Sequence, residues 1–150
     1  MIWDHEIAGS NPAIRTILEI TNMILTNNKE KGRAGLSLAI AYFGSNGYTI
    51  NIPLSDTQWY DLVIEKDGLF QTVQCKVTTT KDNTVYLRSC GGTKGTEYDN
   101  VLNHPVDLLF CINNEQKFYV IPVNDIRESG NKKSISLSLN SKWANYQVSF

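Results

Sequence analysis

Cysteine and histidine are scarce in this chain, and each scarcity closes off a class of protein. There are three cysteines and two histidines in 150 residues. Cys75, Cys90 and Cys111 are widely spaced. They make no metal-ligand pattern, and their odd number argues against a disulfide framework. His5 and His104 are isolated in the sequence, which argues against a catalytic or ligand role for either. No apolar run reaches the ~20 residues of a membrane span, and no secretory hydrophobic region is present. A reducing cytoplasm, away from membranes, is the expected compartment. A strong excess of charge of either sign is also missing: the net charge is -1. Repeats and low-complexity segments are absent. The glycine-rich stretch 91–96 lacks the spacings that cradle nucleotide phosphates.

What is present suits a folded domain. Apolar residues make up 41% and charged residues 19%, which is a globular composition, and the length is that of a single domain spanning 1–150. Asn11-Pro12 reads as an N-cap followed by proline at the first helical position. Ile14, Ile17, Leu18, Thr21, Ile24 and Leu25 follow at helical spacing, so residues 1–28 are expected to form a helical extension. A second helix is expected from about Lys29 to Gly44. Strands follow at about 48–52, 60–65, 69–79, 84–89, 108–112, 117–121 and 134–139, with short helices at 97–103 and 122–127. The fold class is α/β: a mixed central sheet flanked by helices.

The most informative stretch runs from Trp59 to Val77. Asp67-Gly68 is a strong hairpin signal between two β-rich runs. With those two residues as the turn, Lys66 opposes Leu69, and Asp61 then lies opposite Gln74. Opposed residues share a face, and so do residues two apart on a strand. Asp61, Gln74 and Lys76 therefore converge, while Val73, Cys75 and Val77 point to the core. A carboxylate at Asp61 can hold a hard divalent cation, the backbone carbonyl of Cys75 can add a second oxygen, and Gln74 can offer a neutral one. Lys76 supplies a compact positive charge beside them. Such a site can cut phosphodiester bonds, because a metal polarises the phosphoryl oxygen and activates water.

These residues resemble the motif of the PD-(D/E)XK nuclease superfamily, with Gln74 in place of the usual acid. The closer resemblance is to bacterial intron-encoded homing endonucleases, which favour a helix opening Lys-Gly-x-x-Gly, here Lys31-Gly32-Arg33-Ala34-Gly35, and a Pro-Leu pair before the acid strand, here Pro53-Leu54. The resemblance covers roughly residues 29–125. It implies a restriction-endonuclease-like core and a Mg²⁺-dependent, site-specific double-strand DNA endonuclease. Asp61, Gln74 and Lys76 would be catalytic, and Asp61 and Cys75 would hold the metal. One position departs: the family usually places an acid after that second glycine, and Leu36 stands there.

Two stretches carry local positive charge. Lys76, Lys81, Arg88 and Lys94 face only Asp82 across 76–96. Arg127, Lys132, Lys133 and Lys142 face only Glu128 across 127–142. Strips of this kind can follow a phosphate backbone, and Arg88, Lys81, Lys94, Lys132 and Lys133 are the expected DNA contacts. A chain this small needs two sites to cut both strands, which implies a homodimer or homotetramer and a near-palindromic target. Residues 8–13 can be encoded by GCA GGT TCA AAT CCT GCA, a string with the shape of a tRNA T-arm, as expected of an enzyme encoded in a tRNA intron; Met23 would then be a plausible alternative start. The alternatives are a junction-resolving nuclease and a non-catalytic DNA-binding protein on a decayed nuclease fold, the latter favoured by Leu36.

Overall fold

The turn at Asp67-Gly68 sets the register from which the sheet is built. In the computed structural model, which describes residues 28–55, 57–90 and 98–150, both turn residues have positive φ, 54° and 78°. That is the requirement of a two-residue hairpin turn matched to strand twist. The amide of Gly68 donates to Glu65 Oε1 at 2.7 Å and fastens the turn. Strand β2 (Leu62–Lys66) and strand β3 (Leu69–Val77) then pair with Lys66 opposite Leu69 and Leu62 opposite Val73. This is the register the sequence predicts.

Helix α1 (Asn28–Ser45) precedes the hairpin, and Gly47, at φ 80°, turns the chain into strand β1 (Thr49–Asn51). Strands β7 (Leu108–Ile112) and β8 (Phe118–Pro122), helix α2 (Val123–Glu128) and strand β10 (Gln147–Val148) follow later. The main sheet has the order β1-β2-β3-β7-β8-β10. Only the β3–β7 pair is parallel, so the sheet is mixed. All five residues of β7 are buried, as a central strand covered on both faces requires. Leu108, Phe110 and Ile112 join Leu38, Ala39 and Phe43 of α1 in one core. Leu109 and Cys111 point the other way, into a core with Leu87, Ile121, Ile126 and Trp143.

Gly35 shows how closely α1 lies on β3. A Cβ at that position would stand 2.7 Å from Val77 Cγ2, so glycine is needed for close approach, not for φ.

The second face carries structure the sequence does not announce. The run 84–89, expected as one strand, divides into β4 (Thr84–Tyr86) and β5 (Arg88–Cys90). Buried Leu87 makes the division: its amide donates to Lys133 O at 3.0 Å, and its carbonyl accepts from Val101 N at 2.8 Å. Strand β4 pairs with β9 (Ser134–Ser136), and β5 pairs with β6 (Tyr98–Asn100). The helix expected over 97–103 is instead β6 followed by a single 3-10 turn, Val101–Asn103, because Asn100 caps the amide of Leu102. The strand expected to 139 stops at Ser136. A 3-10 turn at Lys142–Tyr146 then buries Trp143 and leads into β10. The N-terminal helical extension, the T-arm segment and Lys94 lie outside the described residues. No described helix is long and apolar enough to cross a membrane.

Candidate active site

Asp61 sits one residue before β2 and continues its ladder, its amide donating to Val73 O at 2.9 Å. Half-buried Trp59 and Tyr60 pack on the core beside it. Its carboxylate turns across to β3: Oδ2 accepts from the Cys75 amide at 2.7 Å and from Gln74 Nε2 at 2.8 Å. Gln74 is only 8% exposed, so its amide is held rather than solvated. The same Nε2 lies 3.4 Å from Cys75 O. Two oxygens, one from a carboxylate and one from a carbonyl, therefore converge on one nitrogen. Gln74 here turns its amide nitrogen toward Asp61. A half-turn of that amide would bring a third oxygen to the same point, and three oxygen donors suit a hard cation. The described residues contain no cluster of three His, Cys, Asp or Glu, and Asp61 is the carboxylate of this oxygen set.

Lys76 lies two residues beyond Gln74 on the same face, half-buried. Its Nζ donates to Arg88 O at 2.8 Å. Burial pushes its pKa below the ordinary lysine value, and the Asp61 carboxylate works in the opposite direction. One acceptor leaves two of the three ammonium protons for other partners. Two thiols, Cys75 and Cys111, are held in the protonated form by contrast. Burial and then the Asp61 charge push Cys75 well up, and burial takes Cys111 up to about 12. Both are free cysteines.

Leu36, on α1, is half-buried against the core and lines a cavity of about 220 Å³ with Asp61, Tyr60, Ile52, Pro53 and Leu54. The helix position that the resemblance assigns to an acid does share a cavity with Asp61, and leucine fills it. Glu30 is half-buried at the start of α1 and is not among that cavity's lining residues.

The expected DNA contacts gather only in part. Arg88 and Lys133, both exposed, line one cavity of about 320 Å³ with Tyr86 and Tyr98, and the Arg88 guanidinium lies 4.3 Å from the Tyr98 ring centre. Lys132 is half-buried, its carbonyl accepting from Asn100 Nδ2 at 2.7 Å. Lys81, exposed on the turn before β4, does not line that cavity.

Two placements run against the sequence reading or escaped it. His104 is not isolated: its ring stacks on Trp59 at 3.4 Å and its Nε2 meets Asp99 Oδ2 at 3.0 Å. Lys31 reaches across from α1 to Thr79 Oγ1 at 3.0 Å. Its signal was present, because it stands one helical turn before Gly35, on the side that meets β3.

A mixed sheet bearing an acid before one hairpin strand and Gln-x-Lys on the next is a nuclease core of the restriction-endonuclease-like class. The chain belongs to the PD-(D/E)XK endonuclease family, whose model matches residues 26–150. Nucleases of this family generally use divalent metal ions. The chain is also similar in fold to a solved structure described as a bacterial homing endonuclease, I-Ssp6803I. The TM-score is 0.65 and the identity 22%, over 81% of this chain and 88% of that one. No curated protein matches the chain.

Proposed function

We propose that this chain is a site-specific double-strand DNA endonuclease of the homing type, dependent on Mg²⁺ and encoded within a tRNA intron. The observation that carries the chemistry is the convergence of Asp61 Oδ2 and Cys75 O on the Gln74 amide, with Lys76 two residues further along the same face. Asp61 and the Cys75 carbonyl hold the cation, and Gln74 positions it. When bound, the ion polarises the phosphoryl oxygen and lowers the pKa of water for attack. Lys76 stabilises the charge that develops on the phosphate oxygens, while Arg88 O keeps its ammonium aimed. Arg88, Lys81, Lys94, Lys132 and Lys133 contact the phosphate backbone.

Cutting both strands requires two sites, which a homodimer or homotetramer provides, with a near-palindromic target following from that symmetry. A non-catalytic DNA-binding role is the second reading, favoured by leucine at position 36 in the Asp61 cavity. The test is to incubate the protein and Mg²⁺ with plasmids carrying intronless tRNA genes and to map the ends. Discrete double-strand cuts that vanish with EDTA are expected. Duplex binding without cleavage in Mg²⁺ would favour the second reading. Preferential cutting of four-way junctions over every linear duplex would mean junction resolution instead.

A further inference from the structure

Between α1 and the end of β3 lies a further cavity, of about 240 Å³, which Lys76 shares with residues the cutting site has not used. Asn28, Lys31, Lys76, Thr79, Thr84 and Tyr86 are among the residues that line it. Two of them are lysines, and no carboxylate among the described residues joins them. The two cations come from different elements. Lys76 is held from behind by Arg88 O, and Lys31 by Thr79 Oγ1. The cavity exists because α1 can approach β3, and that approach depends on Gly35 having no Cβ. Lys31 lies one turn before Gly35, and Thr79 two residues beyond Val77, so the same close contact brings Lys31 to the rim.

The Asp61 carboxylate offsets part of the Lys76 charge from outside the cavity, and an anion seated inside it would lie between the two cations and relieve their mutual repulsion. Lysine is a compact point charge suited to phosphate. We infer that this cavity seats one backbone phosphate of duplex DNA, gripped by Lys31, next to the phosphate on which Lys76 acts. The inference rests on the nuclease reading and adds a division of labour to it: Lys31 binds and Lys76 serves the chemistry.

The experiment measures binding of a generic 30-base-pair duplex, without divalent metal, across a series of salt concentrations. Lys31→Gln keeps a donor for Thr79 while removing the charge, and its melting temperature serves as the folding check. Lys117→Gln, at a half-buried lysine paired with exposed Glu115, is the control. Each phosphate neutralised contributes about 0.9 to the slope of log K against log salt. Lys31→Gln should lower that slope by about 0.9 and weaken binding roughly tenfold. Its cleavage defect should be relieved by raising the DNA concentration, as a loss of binding requires. Lys117→Gln should leave the slope unchanged.

A parent that binds duplex while Lys31→Gln retains its slope overturns the assignment and leaves the nuclease reading standing. A parent with no salt-dependent duplex binding defeats both. Inorganic phosphate is the other source of the same chemistry. A Lys31-dependent rise in melting temperature with millimolar phosphate, together with an unchanged DNA slope, would make this a free-anion site and overturn the DNA assignment.

Discussion

The two faces of strand β3 differ in kind. One presents Val73, Cys75 and Val77 to the core under α1; the other presents Gln74 and Lys76 to a second layer built from β4, β5, β6 and β9. The apolar face is held by area and close packing, and burying such side chains contributes about 1.5–3 kcal/mol each. The polar face is also covered, yet each buried polar group has a named partner: Gln74 has Asp61, and Lys76 has the Arg88 carbonyl. An unpartnered group there would cost about 1–3 kcal/mol. A covered polar face differs from a solvated one in that each of its groups needs a partner within the protein. Here the layer above holds the polar groups in place.

Substitutions should separate the faces. The largest effect belongs to the apolar side. Phe110→Ala removes a fully buried ring at the centre of the α1 core and should cost about 3–5 kcal/mol in denaturant unfolding. An unfolding midpoint close to the parent's would break the account of that face.

Lys76→Ala should act on the polar side with the opposite signature. Cleavage should fall by at least ~10²-fold, the scale of losing a positioned charge at a developing oxyanion, while duplex binding stays within a few-fold. Cleavage within a few-fold of the parent would remove Lys76 from the chemistry. The pH dependence sharpens this. Burial lowers the Lys76 pKa from its ordinary 10.5, so the needed charge is lost, and cutting falls, at a lower pH than for a free lysine. For stability the sign is reversed. A lowered folded-state value means that the ammonium costs stability at neutral pH, and the cost fades as pH rises through that value toward 10.5. Rate profiles of the parent with an alkaline limb at or above 10.5 would contradict the burial.

Gly35→Ala should fall between the faces, since it wedges a methyl 2.7 Å from Val77 Cγ2. Overpacking of this kind costs about 1–3 kcal/mol. Because it lifts α1 from β3, duplex affinity should drop with stability. Unchanged melting would mean that the helix yields freely.

The smallest effect is a gain. Leu36→Glu should return a second carboxylate to the Asp61 cavity, lower the Mg²⁺ concentration needed for cutting and raise the rate, because hard cations follow carboxylate count. A destabilised protein with no gain in activity would mean that Leu36 is structural and that the site was complete without it, since a buried unpaired carboxylate is costly.

How legible this was in the sequence follows the same division. Asp67-Gly68 gave the hairpin turn, hence the register and the opposition of Asp61 and Gln74, because turn chemistry is local. The spacing of α1 and the apolar run of β7 were readable for the same reason. The cover over Lys76 was not. It depends on pairings such as Thr84 with Ser136 and Arg88 with Asn100, and on Leu87 passing the chain from one small sheet to the other. Those contacts join residues distant in sequence whose short strands have no strong period of their own. His104 looked isolated because Trp59 and Asp99 meet it only in the fold. The Gln74 amide orientation is likewise set by the carboxylate across the hairpin, not by its neighbours in the chain.

The central claim is that the polar face of the hairpin holds a catalytic cation through Asp61. Asp61→Asn preserves the side chain's shape and removes the charge. Titrating Mg²⁺ into the parent and into this variant by calorimetry, in the presence of duplex DNA, tests the claim most directly. The account predicts that Mg²⁺ binding and cleavage are lost together while the melting curve stays cooperative. Unchanged Mg²⁺ affinity in Asp61→Asn would contradict it.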